Sequence, residues 1–259
     1  MHDRKDRETY YHDRRRWVLE QPGSPENAKY AAYHKWYSKH KWYSMRTVFR
    51  EKGPGQHLLD YGCGNGQLSV RLAKLGATVT GVDTSKVSID LCKELAEREG
   101  VSDRTSFIVG NVEALDFPSD SFDVIWCSGI LYLLDIEKAY REIARVLKPD
   151  GLAVAMEALG HNPFIELYRR RTPYVFSEDE HPLLRHEVNM ADAFFGKVER
   201  RFFYLAALAG VPFRKMPGFG LLLTPLEVVD SVLLRLPWVK WQAWQVVMLL
   251  NQPKKGILN

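Results

Sequence analysis

A strand-like apolar run that leads into three glycines at alternate positions is the feature that most restricts the fold of this chain. The run His57–Tyr61 is followed by Gly62, Gly64 and Gly66, and a helical pattern begins directly afterwards. Glycine lacks a Cβ, so such a turn lets the backbone bend tightly and approach a neighbour or a ligand. Gln67 stands where the GxGxxG pattern of dinucleotide-binding proteins requires glycine. The turn therefore predicts an α/β unit, and on its own it is weak support for a ligand.

Short apolar or β-branched runs alternate with amphipathic helical patterns from residue 57 to about residue 157. This alternation is typical of βαβ units around a parallel sheet. The predicted strands are His57–Tyr61, Thr78–Val82, Ser106–Val109, Phe122–Cys127, Leu152–Glu157, Arg201–Leu208 and Trp244–Leu250. The predicted helices are Gln67–Leu75, Lys86–Glu99, Ile136–Leu147 and Leu226–Leu236.

The segments on either side of this alternating core differ from it in charge. Residues 1–50 carry a net charge of +6, residues 51–150 carry −5, and residues 151–259 carry +3. The basic flanks also hold 24 of the 31 aromatic residues. We expect the acidic middle to hold a generic small ligand, while the flanks determine a second, more particular substrate.

Two further segments are predicted outside the core. Tyr30, Tyr33 and Tyr37 recur at helical spacing, which predicts an N-terminal helical cap over residues 1–50 that either packs on the sheet edge or acts as a lid. From Gly160 to about Gly196 the chain is rich in charge and proline, which predicts an irregular insertion after the fifth strand.

Composition excludes several classes of protein. The chain is 46% hydrophobic and 26% charged, as expected for a globular protein with a substantial core. Its three cysteines include no CxxC pair, and no apolar run reaches the roughly 18 residues that a membrane span requires. The N-terminus also lacks a signal-like apolar stretch, so we expect a cytoplasmic protein. The eight histidines are scattered without HxxxH spacing, so no metal site is expected.

The second predicted strand ends at an acidic residue beside the glycine turn. Asp83 follows Gly81-Val82, and open α/β sheets bind ligands at this carboxyl edge. A carboxylate there can accept both hydroxyls of a ribose. Alternatively, Asp83 caps the helix that follows, although Ser85 could do the same.

Four motifs occur together in order: DYGCGNG, GVDTS, GNVEALDFPSDSFD and RVLKPDG. In this spacing the sequence resembles the class I S-adenosylmethionine-dependent methyltransferases, particularly the small-molecule branch similar to the ubiquinone and menaquinone methyltransferases. The resemblance covers roughly residues 57–157. It implies a Rossmann-like fold with a seven-stranded, mostly parallel sheet flanked by helices, and S-adenosylmethionine as cofactor. Residues 51–259 would form the methyltransferase domain, with a cofactor-binding core at 57–157 and an acceptor side at 158–250.

The resemblance also implies individual roles at the cofactor. The glycine turn would surround the methionine part, Asp83 would bind the ribose, and the ends of the third and fourth strands would flank the adenine and the methyl group. Asn111 stands where the family often has Asp, and its carbonyl oxygen can still accept from the adenine amino group. The implied cofactor residues are Asp60, Gly62, Cys63, Gly64, Gly66, Asp83, Thr84, Asn111, Val112, Cys127 and Ser128.

Candidates for acceptor chemistry follow the fifth strand and lie in the flanks. His161 is the leading hypothesis for a general base or orienting group, because its ordinary pKa suits proton transfer; the alternative is a structural loop histidine. Glu157 is the second candidate, with the alternative of a buried arginine partner. Tyr10 and Tyr11 could close over an acceptor or be ordinary aromatics, and Tyr132 could line the acceptor pocket or be a packing residue.

Arg170 lies within Arg169-Arg170-Arg171. It is either a solvated residue paired with the acidic run at 178–180 or a ligand for an anionic acceptor.

The leading functional hypothesis is methyl transfer to a small apolar or amphipathic molecule, such as an isoprenoid, polyketide or lipid-like compound. The alternatives are an RNA-modifying methyltransferase, for which the basic N-terminus is the motivation, and a non-catalytic cofactor-binding protein. Nucleic acid is not the expected partner. Trp238, Trp241 and Trp244 are explained either by core burial or by peripheral membrane contact. The acceptor atom could be oxygen, nitrogen or carbon.

Overall fold

Seven strands form a single sheet in the computed structural model, which describes residues 38–52, 55–171, 181–214 and 216–257. Helices cover both faces of this sheet, which confirms the predicted α/β architecture. The strands are β1 (His57–Tyr61), β2 (Thr78–Asp83), β3 (Thr105–Val109), β4 (Phe122–Ser128), β5 (Leu147–Ala158), β6 (Phe195–Phe203) and β7 (Gln245–Pro253). The helices are α1 (Lys39–Lys52), α2 (Gln67–Lys74), α3 (Lys86–Arg98), α4 (Ile136–Val146), α5 (Pro163–Arg170), α6 (Arg185–Phe194) and α7 (Phe219–Leu233).

The strand order is β3-β2-β1-β4-β5-β7-β6, and β7 alone runs antiparallel to its neighbours. From β1 the chain proceeds outward in one direction through β2 and β3, and then returns to the other side of β1 with β4. Open α/β sheets bind ligands in the crevice at the carboxyl ends of the strands beside such a reversal, which here are β1 and β4.

Two apolar cores form because successive residues of a strand point to opposite faces of the sheet. Leu59 and Ile125 belong to the core under α4 and α6, whereas Leu58 and Val124 belong to the core under α1, α2 and α3. Burial on both faces explains why the central strands read as continuous apolar runs rather than as alternating ones.

The sixth strand lies earlier than the predicted Arg201–Leu208, because β6 ends at Phe203. Tyr204 has a φ of +65°, which turns the chain out of the sheet. The next three residues donate their backbone N–H groups to the carboxylate of Asp230, at 2.5–3.3 Å, instead of to a strand. The predicted helix at Leu226–Leu236 likewise begins earlier, at Phe219.

The segment predicted as irregular contains α5 and α6, so that prediction was wrong over its described part. Both helices begin at side chains that accept backbone N–H groups. Asn162 Oδ1 accepts from Phe164 at 3.0 Å, and Glu187 Oε2 accepts from the backbone of Leu184 at 2.7 Å. The predicted N-terminal helix through Tyr30, Tyr33 and Tyr37 lies outside the described residues.

The connections that follow β1, β2, β3, β4 and β5, together with the long connection 204–244 between β6 and β7, all lie at the carboxyl edge of the sheet. In the parts of the chain that the structure describes, every helix is too short or too polar to cross a lipid bilayer. The fold therefore brings the glycine turn, the connection that follows β5 and the connection 204–244 to one edge.

Replacing Asp230 by Ala tests what ends β6. The buried N–H groups of residues 205–207 would lose their acceptor, so we expect the free energy of unfolding in urea to fall by about 2–3 kcal/mol. Ser231→Ala, at an exposed neighbouring position, should change it by less than about 0.5 kcal/mol. Equal unfolding midpoints for the two variants would show that the carboxylate does not stabilise this turn.

Candidate functional site

The glycine turn after β1 lies against the ends of β2 and β4. Gly62, Gly64 and Gly66 have φ angles of +76°, +56° and +72°, a region in which side chains are strained. A Cβ at Gly62 would lie 2.8 Å from Ile130 Cγ1, and one at Gly66 would lie 2.8 Å from Cys92 Sγ. Glycine is therefore required at both positions for space as well as for conformation.

Asp83 connects this turn to the end of β2. Its Oδ2 accepts from the backbone N–H of Gly64 at 2.9 Å, and its Oδ1 accepts from the N–H of Ser85 at 2.9 Å. Ser85, not Asp83, caps α3 by accepting from the N–H of Ser88 at 3.0 Å. The structure thus excludes the capping role considered for Asp83 and places its buried carboxylate between the glycine turn and the start of α3.

Asp60 is a second buried carboxylate below the turn. Ser69 donates its hydroxyl to Asp60 Oδ2 at 2.5 Å. Burial is the main reason why the pKa of Asp60 is raised from 3.8 to about 6; the Ser69 hydrogen bond lowers this pKa and the charge of Asp83 raises it. Asp60 and Asp83 therefore repel one another in a poorly solvated place.

The ends of β2 and β3 contribute residues to the same edge. Thr84 and Asn111 are exposed there, and Val112 is buried in the core beside them. Asn111 Oδ1 accepts from the N–H of Glu113 at 3.1 Å. The N–H of Gly110 donates to the Asp83 carbonyl at 3.0 Å, which fixes the end of β3 relative to β2. The edge thus presents a side-chain amide two strands away from the glycine turn.

The predicted cysteines lie in the core. Cys63 Sγ is 3.9 Å from Cys92 Sγ, and this contact together with burial raises the pKa of the Cys63 thiol. Cys127 is fully buried between β1 and β5, which raises its pKa well above the ordinary value. Ser128, the next residue, is exposed at the edge of the crevice. Of these residues, Ser128 is the one that reaches solvent at the candidate site.

Glu157 is fully buried under the loop that follows β4. Its Oε1 accepts from the backbone N–H groups of Ile130 and Leu131, both at 3.1 Å, whereas Oε2 has no hydrogen-bond partner. Burial raises the pKa of Glu157 to about 7, although backbone N–H groups of residues 129–132 lower it. This carboxyl group holds the loop that carries the half-buried Tyr132, and its hydrogen bonds are to backbone rather than to an arginine.

His161 links the segment after β5 to the start of α6. Its Nε2 accepts from the backbone N–H of Arg185 at 2.8 Å, so a neutral ring carries its proton on Nδ1. The ring also lies edge-on to Trp241, with centroids 6.3 Å apart. The structure therefore brings His161 together with α6 and Trp241, and its role as a base stays a prediction.

The remaining candidates are dispersed. Arg170 is exposed at the end of α5, and Tyr10 and Tyr11 lie outside the described residues. Among the described residues, no three histidine, cysteine or acidic side chains come together as a metal site would require. The candidate site therefore consists of the crevice at β1, β2, β3 and β4.

Sequence reasoning missed two residues that hold the site together. Ser69 lies in the first turn of α2, which follows the glycine turn, and that position is the signal that could have revealed it as the partner of Asp60. Arg185 holds His161 through its backbone N–H, and a backbone contact of this kind leaves no trace in the sequence.

Residues 59–155 match the family profile described as "Methyltransferase domain". This segment is a methyltransferase domain. The match confirms the resemblance drawn from the four motifs.

Curated relatives are similar over stretches of about 100 residues. Methyltransferase GfsG of Streptomyces halstedii is 39% identical over 104 residues, which are 39% of this chain and 37% of the relative. The mitochondrial ubiquinone biosynthesis O-methyltransferase of Schizosaccharomyces pombe is 37% identical over 114 residues, 42% of this chain and 41% of the relative. The chain thus spans about two fifths of the length of these relatives.

Among solved structures, a geranyl diphosphate methyltransferase in complex with SAM has a TM-score of 0.58 and 19% identity, over 91% of this chain and 94% of that one. At that identity the likeness concerns the fold. It extends beyond residues 59–155, because it covers most of the chain.

Substitutions of Glu157 test its role beneath the crevice. Glu157→Ala should lower the free energy of unfolding by about 1–3 kcal/mol, because two buried N–H groups lose their acceptor. Glu157→Gln keeps an acceptor oxygen and does not titrate.

Because the folded-state pKa is raised from 4.5 to about 7, wild-type Glu157 stabilises the fold fully below about pH 4.5, and that contribution is lost as the pH rises through 7. Urea unfolding at pH 5 and pH 8 should therefore show wild type losing stability relative to Glu157→Gln at the higher pH. A difference between these two proteins that does not change with pH would contradict the assignment.

Proposed function

We propose that this chain transfers a methyl group from S-adenosylmethionine to a small apolar or amphipathic molecule. The single observation that carries the proposal is the pair of buried carboxylates, Asp60 and Asp83, beside a left-handed glycine turn at the carboxyl edge of the sheet. The match of residues 59–155 to a methyltransferase domain supports the same conclusion.

The charge of the crevice suits this cofactor. S-adenosylmethionine carries a sulfonium and an ammonium cation against one carboxylate. Burial and the nearby Asp83 both raise the pKa of Asp60, so a cation placed here offsets a repulsion that the protein otherwise retains. The residues present therefore fit the cofactor.

Individual residues would divide the binding as follows. Asp83 would accept hydroxyl groups of the ribose, since a carboxylate oxygen accepts from more than one donor. Asp60 and the turn from Gly62 to Gly66 would hold the methionine part, and Asn111 Oδ1 would accept from the adenine amino group. The cofactor, when bound, supplies a methyl group on a good leaving group. The protein would orient the acceptor in line with that methyl group and exclude water.

The acceptor side would be formed by residues 158–250, with residues 1–50 as its cap. The names of the compared proteins point to ubiquinone synthesis and geranyl diphosphate, which are isoprenoid chemistry. They favour a small-molecule acceptor over RNA. Within this proposal Glu157 positions the loop after β4, and His161 remains the candidate for a general base or orienting group. Tyr132 and Arg170 remain candidates for contact with the acceptor. We also propose a cytoplasmic location, which the three free cysteines support.

Calorimetry with S-adenosylmethionine tests the proposal directly. Asp83→Asn removes the charged acceptor but keeps an oxygen for a backbone N–H, so we expect affinity to fall about 10- to 100-fold. Asp90→Ala, an exposed carboxylate of α3 paired with Lys86, is the matched control and should bind as wild type does. Undetectable binding by wild type, or equal affinity for all three proteins, would refute the cofactor assignment.

The raised pKa of Asp60 predicts how cofactor binding depends on pH. Because an ionised Asp60 is needed beside the ligand cation, affinity should increase as the pH rises through about 6. Asp60→Asn should bind more weakly and should lose this dependence between pH 5 and pH 7.5.

In the absence of ligand, the contribution of Asp60 to the stability of the fold depends on pH in the opposite direction from its contribution to cofactor binding. The raised folded-state pKa means that wild-type Asp60 stabilises the fold at low pH and loses that contribution as the pH rises from about 4 to 6. Asp60→Asn should therefore be at least as stable as wild type at pH 7.5 in thermal unfolding. A variant that unfolds at that pH would show a structural role instead.

A further inference from the structure

Exposed apolar side chains cover the outer face of α7 and the turn that follows it. Leu221 is 85% exposed, Val228 61%, Val232 60% and Trp238 81%. Surface helices normally present charged residues on their outer face, and large apolar patches mark sites of interaction. Core burial, one explanation considered for the C-terminal tryptophans, holds for Trp241 and fails for Trp238.

The inner face of α7 is already satisfied by its own small core. Phe219 and Leu223 pack with Tyr204 and Ala207, and Asp230 accepts the backbone N–H groups at the end of β6. The exposed apolar face is therefore the opposite side of the helix. Repacking onto the sheet would expose the residues that now hold α7 in place.

A second exposed apolar turn lies on α5. Phe164 is 80% exposed and Leu167 is also exposed. Asn162, just before α5, donates its Nδ2 to the carbonyl of Gln242 at 2.7 Å. The start of α5 therefore lies beside the end of the connection 204–244 that contains α7. We define the docking face as α5 together with residues 213–214 and 216–240.

The fully exposed charged side chains of the docking face are all cationic. Arg170, Arg171 and Arg235 are exposed, and Arg214 and Lys240 are partly exposed. Among the described residues of this face, each carboxylate is engaged: Glu166 is 3.7 Å from Arg169, Glu227 is 3.3 Å from Lys39, and Asp230 is buried. The face is thus apolar with a cationic border.

We propose that the docking face binds the surface of an anionic lipid bilayer. Leucine, valine and tryptophan side chains bordered by arginine and lysine are the composition that an interfacial segment requires. A second copy of the chain fits less well, because a symmetric dimer would bring the same cations together. Residues 1–37 carry a net charge of +2, which has the same sign as the face.

The docking face lies at the same edge of the sheet as the candidate cofactor site, so docking would affect how an acceptor reaches that site. The connection 204–244 and α5 both lie at the carboxyl edge of the sheet, the edge of the candidate cofactor site. If the proposed function holds, an acceptor dissolved in the bilayer would enter the crevice from the docked side. The acceptor would then be a membrane-partitioned amphiphile rather than a freely soluble metabolite.

Co-sedimentation of the full chain with vesicles tests the docking, without cofactor or acceptor. Wild type should pellet at physiological salt with vesicles of equal parts phosphatidylcholine and phosphatidylserine, and less with phosphatidylcholine alone. The triple variant Leu221→Ser, Val228→Ser, Val232→Ser should lower the partition coefficient about tenfold or more while remaining folded.

The double variant Arg235→Glu, Lys240→Glu should weaken binding to the vesicles that contain phosphatidylserine and leave binding to phosphatidylcholine vesicles unchanged. Leu75→Ser, an exposed leucine at the end of α2, is the control and should bind as wild type does.

Three results would overturn the proposal. Wild type that stays in the supernatant, or a triple variant that pellets as wild type does, excludes a bilayer. A wild-type dimer in sedimentation velocity that the triple variant converts to monomer, without vesicle binding, would show that a second copy covers the face. None of these results depends on cofactor binding, so calorimetry with S-adenosylmethionine distinguishes failure of the docking from failure of the proposed function.

Discussion

The carboxylate of Asp83 is the interaction on which the candidate site depends. One of its oxygens accepts from the glycine turn after β1, and the other accepts from the residue that caps α3. Val82, directly before it, accepts the N–H groups of Gly62 and Cys63 at 2.9 and 3.0 Å. The ends of β1 and β2 and the start of α3 are thereby held as one unit. The shape of the crevice follows from these few hydrogen bonds.

Two other carboxyl groups at the same edge are buried, and their surroundings differ. One carboxylate oxygen of Glu157 accepts backbone N–H groups and thereby holds the loop after β4. Asp60 has Ser69 as its hydrogen-bond partner and Asp83 as a repelling neighbour. The first arrangement serves the fold. The second leaves negative charge where a cationic ligand would be stabilised, which is why we propose a binding role for Asp60 and not for Glu157.

The sequence predicted the first four strands to within about one residue at each end, because a short apolar run bounded by turns is a local signal. It failed where a distant side chain decides the structure. β6 ends at Phe203 because Asp230, more than twenty residues further on, accepts the N–H groups that follow. The partners of Glu157 and His161 are backbone N–H groups, which carry no sequence signal. Motifs therefore predicted the residues at the ends of β1, β2 and β3, whereas the contacts of Glu157 and His161 are visible only in three dimensions.

A co-crystal structure with S-adenosylhomocysteine, the demethylated product of the cofactor, tests the central claim most directly. The account predicts ribose hydroxyls within hydrogen-bond distance of Asp83, the amino group of the ligand near Asp60 and the glycine turn, and the sulfur facing the loop after β4. Ligand density at another edge of the sheet, or a ribose that does not contact Asp83 in a fully occupied site, would contradict it.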